Sequence, residues 1–271
     1  MQKTKKKRIF YISDFSLPNM SAYALHVLKM CDAFSEKNYK VNLLIPNINK
    51  NYNFKKIKKE YLLKSPFRIQ AFFKSKINRN LFDLLIFSFK LFKFLKKNNK
   101  PNLIISRSIL PALFLSLKGH NLFLEIHTEP KGFTKAIFNI FKFFDFNNNI
   151  KFIFINKNLN KKLGLKKKDF VILDDCVDVR DFKPTNKKAH ACLYTGSFVK
   201  GKGIDTILNI ASLLPKINFI LYGDLRTLDT YLYKNIINQK NISLNDFVSY
   251  NKITEILPKN KILLMPYEKK I

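Results

Sequence analysis

The sequence predicts an α/β fold built as two successive open parallel sheets, and three observations carry that prediction. Short strand-like runs alternate with longer stretches of helical period, the order that calls for parallel strands joined by crossover helices. A polar, aperiodic segment from Asp181 to His190, containing Pro184, divides the alternation into two series. Finally, 46% of the 271 residues are apolar and 25% charged, which suffices for one sizeable core or two smaller ones and excludes a disordered chain.

The first series opens with its clearest unit. Arg8 to Ser13 reads as a buried strand, Asp14 to Met20 as a loop, Ser21 to Glu36 as a helix and Lys40 to Ile45 as a second strand. Ser21 is an N-cap candidate, and Ala24, Val27, Leu28, Cys31 and Phe34 follow the three-and-four spacing of a buried helix face. Lys50 to Lys76 is Lys-rich and weakly periodic, and reads as an irregular or short-helical excursion at the sheet edge. Beyond it the pattern predicts a helix Asn80 to Lys97, a strand Asn102 to Arg107, a helix Leu110 to Leu117 and a strand Asn121 to His127. A helix Phe133 to Phe144, a strand Lys151 to Ile155, a helix Asn158 to Gly164 and a strand Phe170 to Leu173 complete a first domain, placed at residues 1–183.

A linker is expected at 184–190 and a second domain at 191–271. The second domain offers strands Ala191 to Thr195 and Asn218 to Tyr222, with helices Ile204 to Leu214 and Leu228 to Gln239. An extended Asn241 to Phe247, a helix Lys252 to Leu257 and a strand Lys261 to Met265 follow. With no closing helix after that strand, the second domain reads as incomplete.

Lys and Arg number 50 against 19 Asp and Glu, a formal net charge of +31. Two readings stand: attraction to anionic partners, or a compositional bias, since Lys, Asn, Ile and Phe are abundant throughout and the charge is spread along the chain. No helix-turn-helix, zinc or RNA-binding aromatic motif accompanies it, so nucleic acid is not an expected partner. The predicted helices at 80–97 and 133–144 interleave Phe with Lys, as helices lying on anionic lipid do and as core helices of a Lys-rich protein also do. Cys31, Cys176 and Cys192 show no paired spacing, which excludes an evident disulfide framework and suits a reducing compartment. The basic start is followed by only Ile9 to Ile12 before Ser13 and Asp14, too little for a signal peptide, and no apolar run approaches the roughly 18 residues of a membrane span. A cytoplasmic protein, peripheral on the inner face of the membrane, is the expectation.

The sharpest local signal is Gly196-Ser197-Phe198-Val199-Lys200-Gly201-Lys202-Gly203, between a predicted strand and helix. Glycines let backbone approach a ligand, the helix N-terminus presents unpaired amides and Lys202 adds a cation in the same place, which suits a diphosphate. The spacing matches neither the P-loop nor the three-glycine dinucleotide fingerprint, and an ordinary glycine-rich turn is the competing reading. His127, in Glu125-Ile126-His127-Thr128-Glu129-Pro130, ends a predicted strand where open α/β sheets bind ligands, and competes with a structural histidine. Arg107, flanked by Ser106 and Ser108, is placed to hold an anionic group or to make a surface ion pair. Asp14, Ser16, Asn19 and Ser21 occupy the loop after the first strand, where hydroxyls and amides suit a sugar or phosphate and where capping and turn formation also explain them. His26 lies inside a helix and His120 in a turn, and both read as structural or solvated.

In this order the motifs resemble those of the retaining glycosyltransferases of family 4 over nearly the whole chain. The matching stretches run at 11–46, at EIHTEP (125–130), at DDCVDVRDF (174–182), at LYTGSFVKGKGIDTIL (193–208), at FILYGD (219–224) and at ILLMPY (262–267). The resemblance implies a GT-B-like fold, two Rossmann-type domains facing across a cleft, the first taking the acceptor and the second a nucleotide-diphosphate sugar. It implies that Lys202 binds the donor diphosphate with Gly196, Ser197 and Gly203, that His127 is catalytic beside the transferred sugar, and that Ser16, Asn19 and Ser21 face donor phosphate and acceptor. Arg107, Glu129 and Gly223 are further candidate contacts, and Asp178 and Phe182 belong to a structural motif near the crossover. The expected partners are the donor, a glycan or lipid-linked acceptor and an anionic membrane surface, with no cofactor and no metal.

Three departures qualify the match. Ser21-Ala22 stands where the family often has adjacent glycines, and Ser197 where an arginine is usual, leaving Lys200 as the substitute cation. The carboxylate motif that follows the last strand has no counterpart before Ile271. The reading from another class is a non-catalytic binder of anionic membranes or polyanions with a degenerate sugar site. A nucleotide-sugar epimerase or dehydrogenase is disfavoured by the missing dinucleotide fingerprint after the first strand.

Overall fold

The structure is a computed structural model and describes residues 7–78, 80–98, 103–143, 149–164, 170–186 and 189–267. The chain divides into two compact units, Met1–Val177 and Asp178–Ile271.

In the first unit, β1 (Arg8–Ile12), α1 (Ala22–Glu36), β2 (Lys40–Ile45), α2 (Phe54–Glu60), β3 (Arg68–Ala71) and α3 (Leu81–Lys97) come in order. They are followed by β4 (Leu103–Ser106), α4 (Ile109–Leu117), β5 (Leu122–Ile126), α5 (Gly132–Phe143), β6 (Ile150–Phe154), α6 (Lys157–Leu163) and β7 (Phe170–Ile172). The seven strands are parallel in the order β3-β2-β1-β4-β5-β6-β7. Side chains alternate across a strand, so β1, β2, β4 and β5 each feed two cores. Ile9 and Tyr11 of β1 join Leu43 and the α1 residues Val27, Leu28 and Cys31 on one face. Phe10 and Ile12 join Leu44, Phe87 and Leu91 of α3, and Leu113 of α4, on the other. Near-continuous apolar strands are what a sheet covered on both faces requires. The side chains of Ser21, Asn53, Asn80 and Asn156 accept amide hydrogen bonds at the starts of α1, α2, α3 and α6, satisfying donors that a helix start leaves open.

The segment 50–76 holds more order than its composition predicts. It contains α2 and the edge strand β3, which pairs with β2 from Asn42↔Arg68 to Ile45↔Ala71. An edge strand with one half-exposed face carries Arg68 and Gln70, so it lacks the apolar run that marks the central strands. Asn102 and Phe144, expected at a strand start and a helix end, lie outside the described residues.

The second unit contains β8 (Ala189–Thr195), α7 (Ile204–Leu213), β9 (Asn218–Tyr222), α8 (Thr230–Ile237), β10 (Ile242–Asn245), α9 (Tyr250–Ile256) and β11 (Asn260–Leu263). Its four parallel strands run β10-β9-β8-β11. Among the described residues one buried cluster supports it, built from Cys192, Phe198, Ile207, Phe219, Leu221 and Ile236. The boundary between units falls ahead of Asp178, earlier than the linker expected at 184–190. Tyr250 ties the 3-10 turn Val179–Asp181 to the second unit: its hydroxyl donates to Asp181 at 2.9 Å and its ring meets Phe182 edge-on. Lys187 and Lys188 of the expected linker lie outside the described residues. No helix among the described residues is long and apolar enough to cross a membrane.

Candidate functional site

Strand order reverses between β1 and β4 in the first unit and between β8 and β11 in the second, and loops leaving the carboxyl ends of strands open a crevice at such a switch point. Both sets of predicted residues stand at these places.

In the first unit a cavity of about 480 Å³ is lined by Asp14 after β1, Arg107 and Ser108 after β4, and Glu125, His127 and Glu129 at and after the end of β5. Two hydrogen-bonded groups fix its wall. Ser108 Oγ donates to Asp14 Oδ2 at 3.0 Å and the Tyr23 hydroxyl to Asp14 Oδ1 at 3.0 Å, while Ser13 Oγ donates to Tyr23 at 2.6 Å. Burial, and then the Asp14 charge, push the Tyr23 phenol far above its ordinary value, so it stays a donor. The Arg107 guanidinium lies 4.5 Å from the Tyr23 ring centroid and donates to the Tyr23 carbonyl at 3.2 Å. Glu129, also on the rim, pairs with exposed Lys162 at 2.6 Å.

The second group centres on Glu125, which is 5% exposed. Tyr11, from the middle of β1, donates to its Oε2, and His127 Nε2 bonds to its Oε1. His26 Nε2, from the second turn of α1, reaches the same Oε1 at 2.6 Å but makes no directed hydrogen bond, and is buried. The opposite nitrogens of the two rings face one oxygen of Asp175: His26 Nδ1 at 3.2 Å and His127 Nδ1 at 3.6 Å. Burial alone raises a carboxyl, but the close imidazoles of His127 and His26 and the Tyr11 hydroxyl outweigh it and hold Glu125 well below the carboxylate range. Burial, reinforced by the Glu125 charge, holds Tyr11 protonated.

The structure thus brings His127 and Arg107 to one cavity and adds four groups that sequence reading left without a role there: His26, Glu125, Tyr11 and Asp175. His26 was legible in principle. It sits five residues past the α1 cap, beside the buried positions Ala24, Val27 and Leu28, on a helix that starts from the switch-point loop. Ser16 is half-buried in that loop. Asn19 Oδ1 accepts from the Ser21 amide at 2.9 Å, and Ser21 Oγ accepts from Ala24 at 3.2 Å, so both side chains are engaged in starting α1.

In the second unit the turn from β8 to α7 is set by backbone approach. Gly203 has φ +72°, and a β-carbon there would meet the Pro266 carbonyl oxygen at 1.7 Å. Gly223, after β9, lies against the Gly196 carbonyl, where a β-carbon would come within 2.2 Å. The Tyr194 hydroxyl donates to the Ser197 carbonyl at 2.7 Å, and burial followed by Tyr267 pushes that phenol up to about 12. Lys202, half-buried, places its Nζ 4.4 Å from the Tyr267 ring centroid. Gly196, Ser197, Lys202, Gly203 and Gly223 are therefore neighbours around one switch point, flanked by the residues after β11.

No protein-family profile matches the chain, and no curated protein is significantly similar to it. Solved structures are. A glycosyltransferase from Rickettsia africae superposes with a TM-score of 0.69 at 11% identity, covering 97% of this chain and 74% of that one. TarM gives 0.72 at 11% identity, covering 97% and 80%. A UDP-N-acetylglucosamine 2-epimerase from Rickettsia bellii gives 0.59 at 13% identity, covering 96% and 74%. These likenesses show the fold: the chain is a GT-B-like α/β protein with two Rossmann-like parallel sheets.

Proposed function

We propose that the chain transfers a sugar from a nucleotide-diphosphate sugar to a glycan or lipid-linked acceptor, with retention at the sugar carbon. The observation that carries this reading is the β8–α7 turn, where two left-handed glycines, Gly201 and Gly203, and the Lys202 ammonium lead into a helix N-terminus at a switch point. Loss of the nucleoside diphosphate builds negative charge on its terminal phosphate, and amides and a cation already in place stabilise that charge without reorganising. Lys202 supplies the cation, with Gly196 and Ser197 leaving room for the phosphate. In the first unit His127 meets a hydroxyl of the transferred sugar, held in orientation by Glu125, and Arg107 and the loop of Ser16, Asn19 and Ser21 take acceptor or phosphate oxygens. Exposed Phe82, Leu85 and Phe89 of α3 and Phe133 and Ile140 of α5, on a chain of charge +31, support a lipid-linked acceptor met at an anionic membrane surface.

Calorimetric titration of UDP and GDP tests the reading. Wild type is expected to bind one of them, and Lys202→Ala to weaken it about tenfold or more, the worth of one charge-assisted hydrogen bond. Unchanged affinity would remove Lys202 from its role. Since the same fold serves an epimerase, incubation with nucleotide sugars separates the two activities: transfer releases a nucleoside diphosphate, whereas epimerisation at the sugar leaves the nucleotide sugar intact.

A further inference from the structure

We propose that His26, Glu125 and His127 bind one divalent transition-metal ion through Nε2, Oε1 and Nε2, with Zn²⁺ the ion their donor set suits best. The three ligand atoms lie within 4.8 Å of one another. Two imidazoles and one carboxylate are a set that catalytic zinc proteins use, leaving further positions for an exogenous ligand.

The unmet ring nitrogen makes the case. An imidazole nitrogen has either a hydrogen to donate or a lone pair to offer. Here both Nε2 atoms approach Glu125 Oε1 and both Nδ1 atoms approach Asp175 Oδ1, so four ring nitrogens face carboxylate oxygens. His26 Nε2 is nevertheless buried without a directed partner, so neither a hydrogen nor a lone pair on it is met. An ion on the Nε2 side meets it. Both lone pairs then point at the cation, both Nδ1–H groups point at Asp175, and the Glu125 charge is shared with the metal.

The surroundings are those of a supported site. Tyr11 holds Oε2, leaving Oε1 to the imidazoles, and Asp175 Oδ1 lies 3.2 and 3.6 Å from the opposite ring nitrogens, where the outer partner of a metal-bound histidine stands. Glu125 and His127 line the 480 Å³ cavity, which gives an ion a path in and a substrate oxygen a path to it. Ligand atoms about 2.0–2.2 Å from a tetrahedral ion stand about 3.3–3.6 Å apart. Entry therefore needs Glu125 Oε1, now 2.6 Å from His26 Nε2, to withdraw by about 1 Å from the rings. The site departs from the metal-free expectation of the sequence, and an ion held there takes over from His127 Nε2 as the group that meets a sugar hydroxyl. Its test reads metal content and not turnover, so failure of the site leaves the transfer reading, with His127 itself at the hydroxyl, standing.

The test loads the full chain with Zn²⁺ or Co²⁺, removes excess metal by gel filtration and measures metal content, with visible absorption of the Co²⁺ form reporting a low-symmetry site. One ion per chain is expected, lost in His26→Gln and in His127→Gln. It is retained in His120→Gln and His190→Gln, which change the two remaining histidines. Asp175→Asn, at a 55% exposed side chain that does not endanger folding, is expected to weaken affinity about 10- to 100-fold. Circular dichroism confirms that each variant is folded. Failure of folded wild type to hold stoichiometric metal would overturn the site, as would retention of it by both His26→Gln and His127→Gln.

Discussion

The two units solve one architectural problem with different means. Each opens a crevice where strand order reverses, yet the first furnishes its crevice with buried side chains and the second with backbone. In the first unit, Asp14, Tyr23 and Ser108, and Tyr11, Glu125 and His127, are held by bonds among themselves, over a sheet with a core on each face. In the second, glycines permit carbonyl oxygens to approach, and one cluster of side chains carries the sheet. Function built on buried side chains tolerates backbone change and fails on side-chain change. Function built on a close-packed turn fails on backbone change and, here, on loss of the single Lys202 cation.

Matched core truncations are the strongest way to break this contrast. Phe152→Ala in the first unit and Phe219→Ala in the second remove rings of almost equal burial, and each is expected to cost about 3–5 kcal/mol locally. Hydrogen exchange read by peptide should show protection lost throughout β8 and β9 in Phe219→Ala, because one cluster supports them. Phe152→Ala should leave β1 and β2 slow, since Ile9, Tyr11, Val41 and Leu43 draw on the other face. Surviving protection in β8 and β9 would show that the second unit rests on more than that cluster.

Glycines sharpen the same contrast at lower cost. Gly119 in the first unit has φ +80° with nothing within 4 Å of a β-carbon, whereas Gly203 in the second has φ +72° and the Pro266 oxygen in the way. Gly119→Ala is expected to cost about 1 kcal/mol of backbone strain. Gly203→Ala should cost about 1–3 kcal/mol from strain, with displacement of Pro266 added to it. Urea unfolding compares them, and equal losses would mean that Pro266 yields freely.

Much of this arrangement is legible in the chain. The alternation of β1, β4, β5 and β8 with their helices follows from apolar runs long enough to be buried on both faces, and the glycine turn follows from its position between strand and helix. What escapes is whatever depends on convergence of distant segments. His26 and Glu125 are 99 residues apart in a sequence of 271, and nothing local to a helical histidine announces the carboxylate that it meets. Strand β3 escapes because an edge strand with polar residues has no distinguishing period, and the Asp181–Tyr250 bond escapes because it joins residues on separate elements.

Alkali probes the second unit more gently. A folded phenol held at about 12, as Tyr194 is, binds its proton more tightly than the unfolded chain does near 10. Its contribution is therefore complete below pH 10 and disappears as pH rises toward 12. The hydrogen bond from the hydroxyl to Ser197 is only part-buried, so with the effect discounted for solvent screening about 1 kcal/mol is at stake. Tyr194→Phe should flatten that part of the stability–pH curve, at the expense of the hydrogen bond to Ser197. An unchanged slope would assign the alkaline loss to other tyrosines.

The smallest effect belongs to the rim of the first unit. Glu129 and Lys162 are 2.6 Å apart, but both are exposed, and two flexible side chains in water gain little from pairing. Glu129→Gln should shift stability by about 0.5 kcal/mol or less, and the shift should vanish in high salt. If the first unit owes its site to buried networks and not to surface charge, this substitution also leaves hydrogen exchange at β5 and α1 unaltered. A loss of protection there would show that the cavity wall leans on its rim, and the division between the two units would have to be redrawn around Glu129.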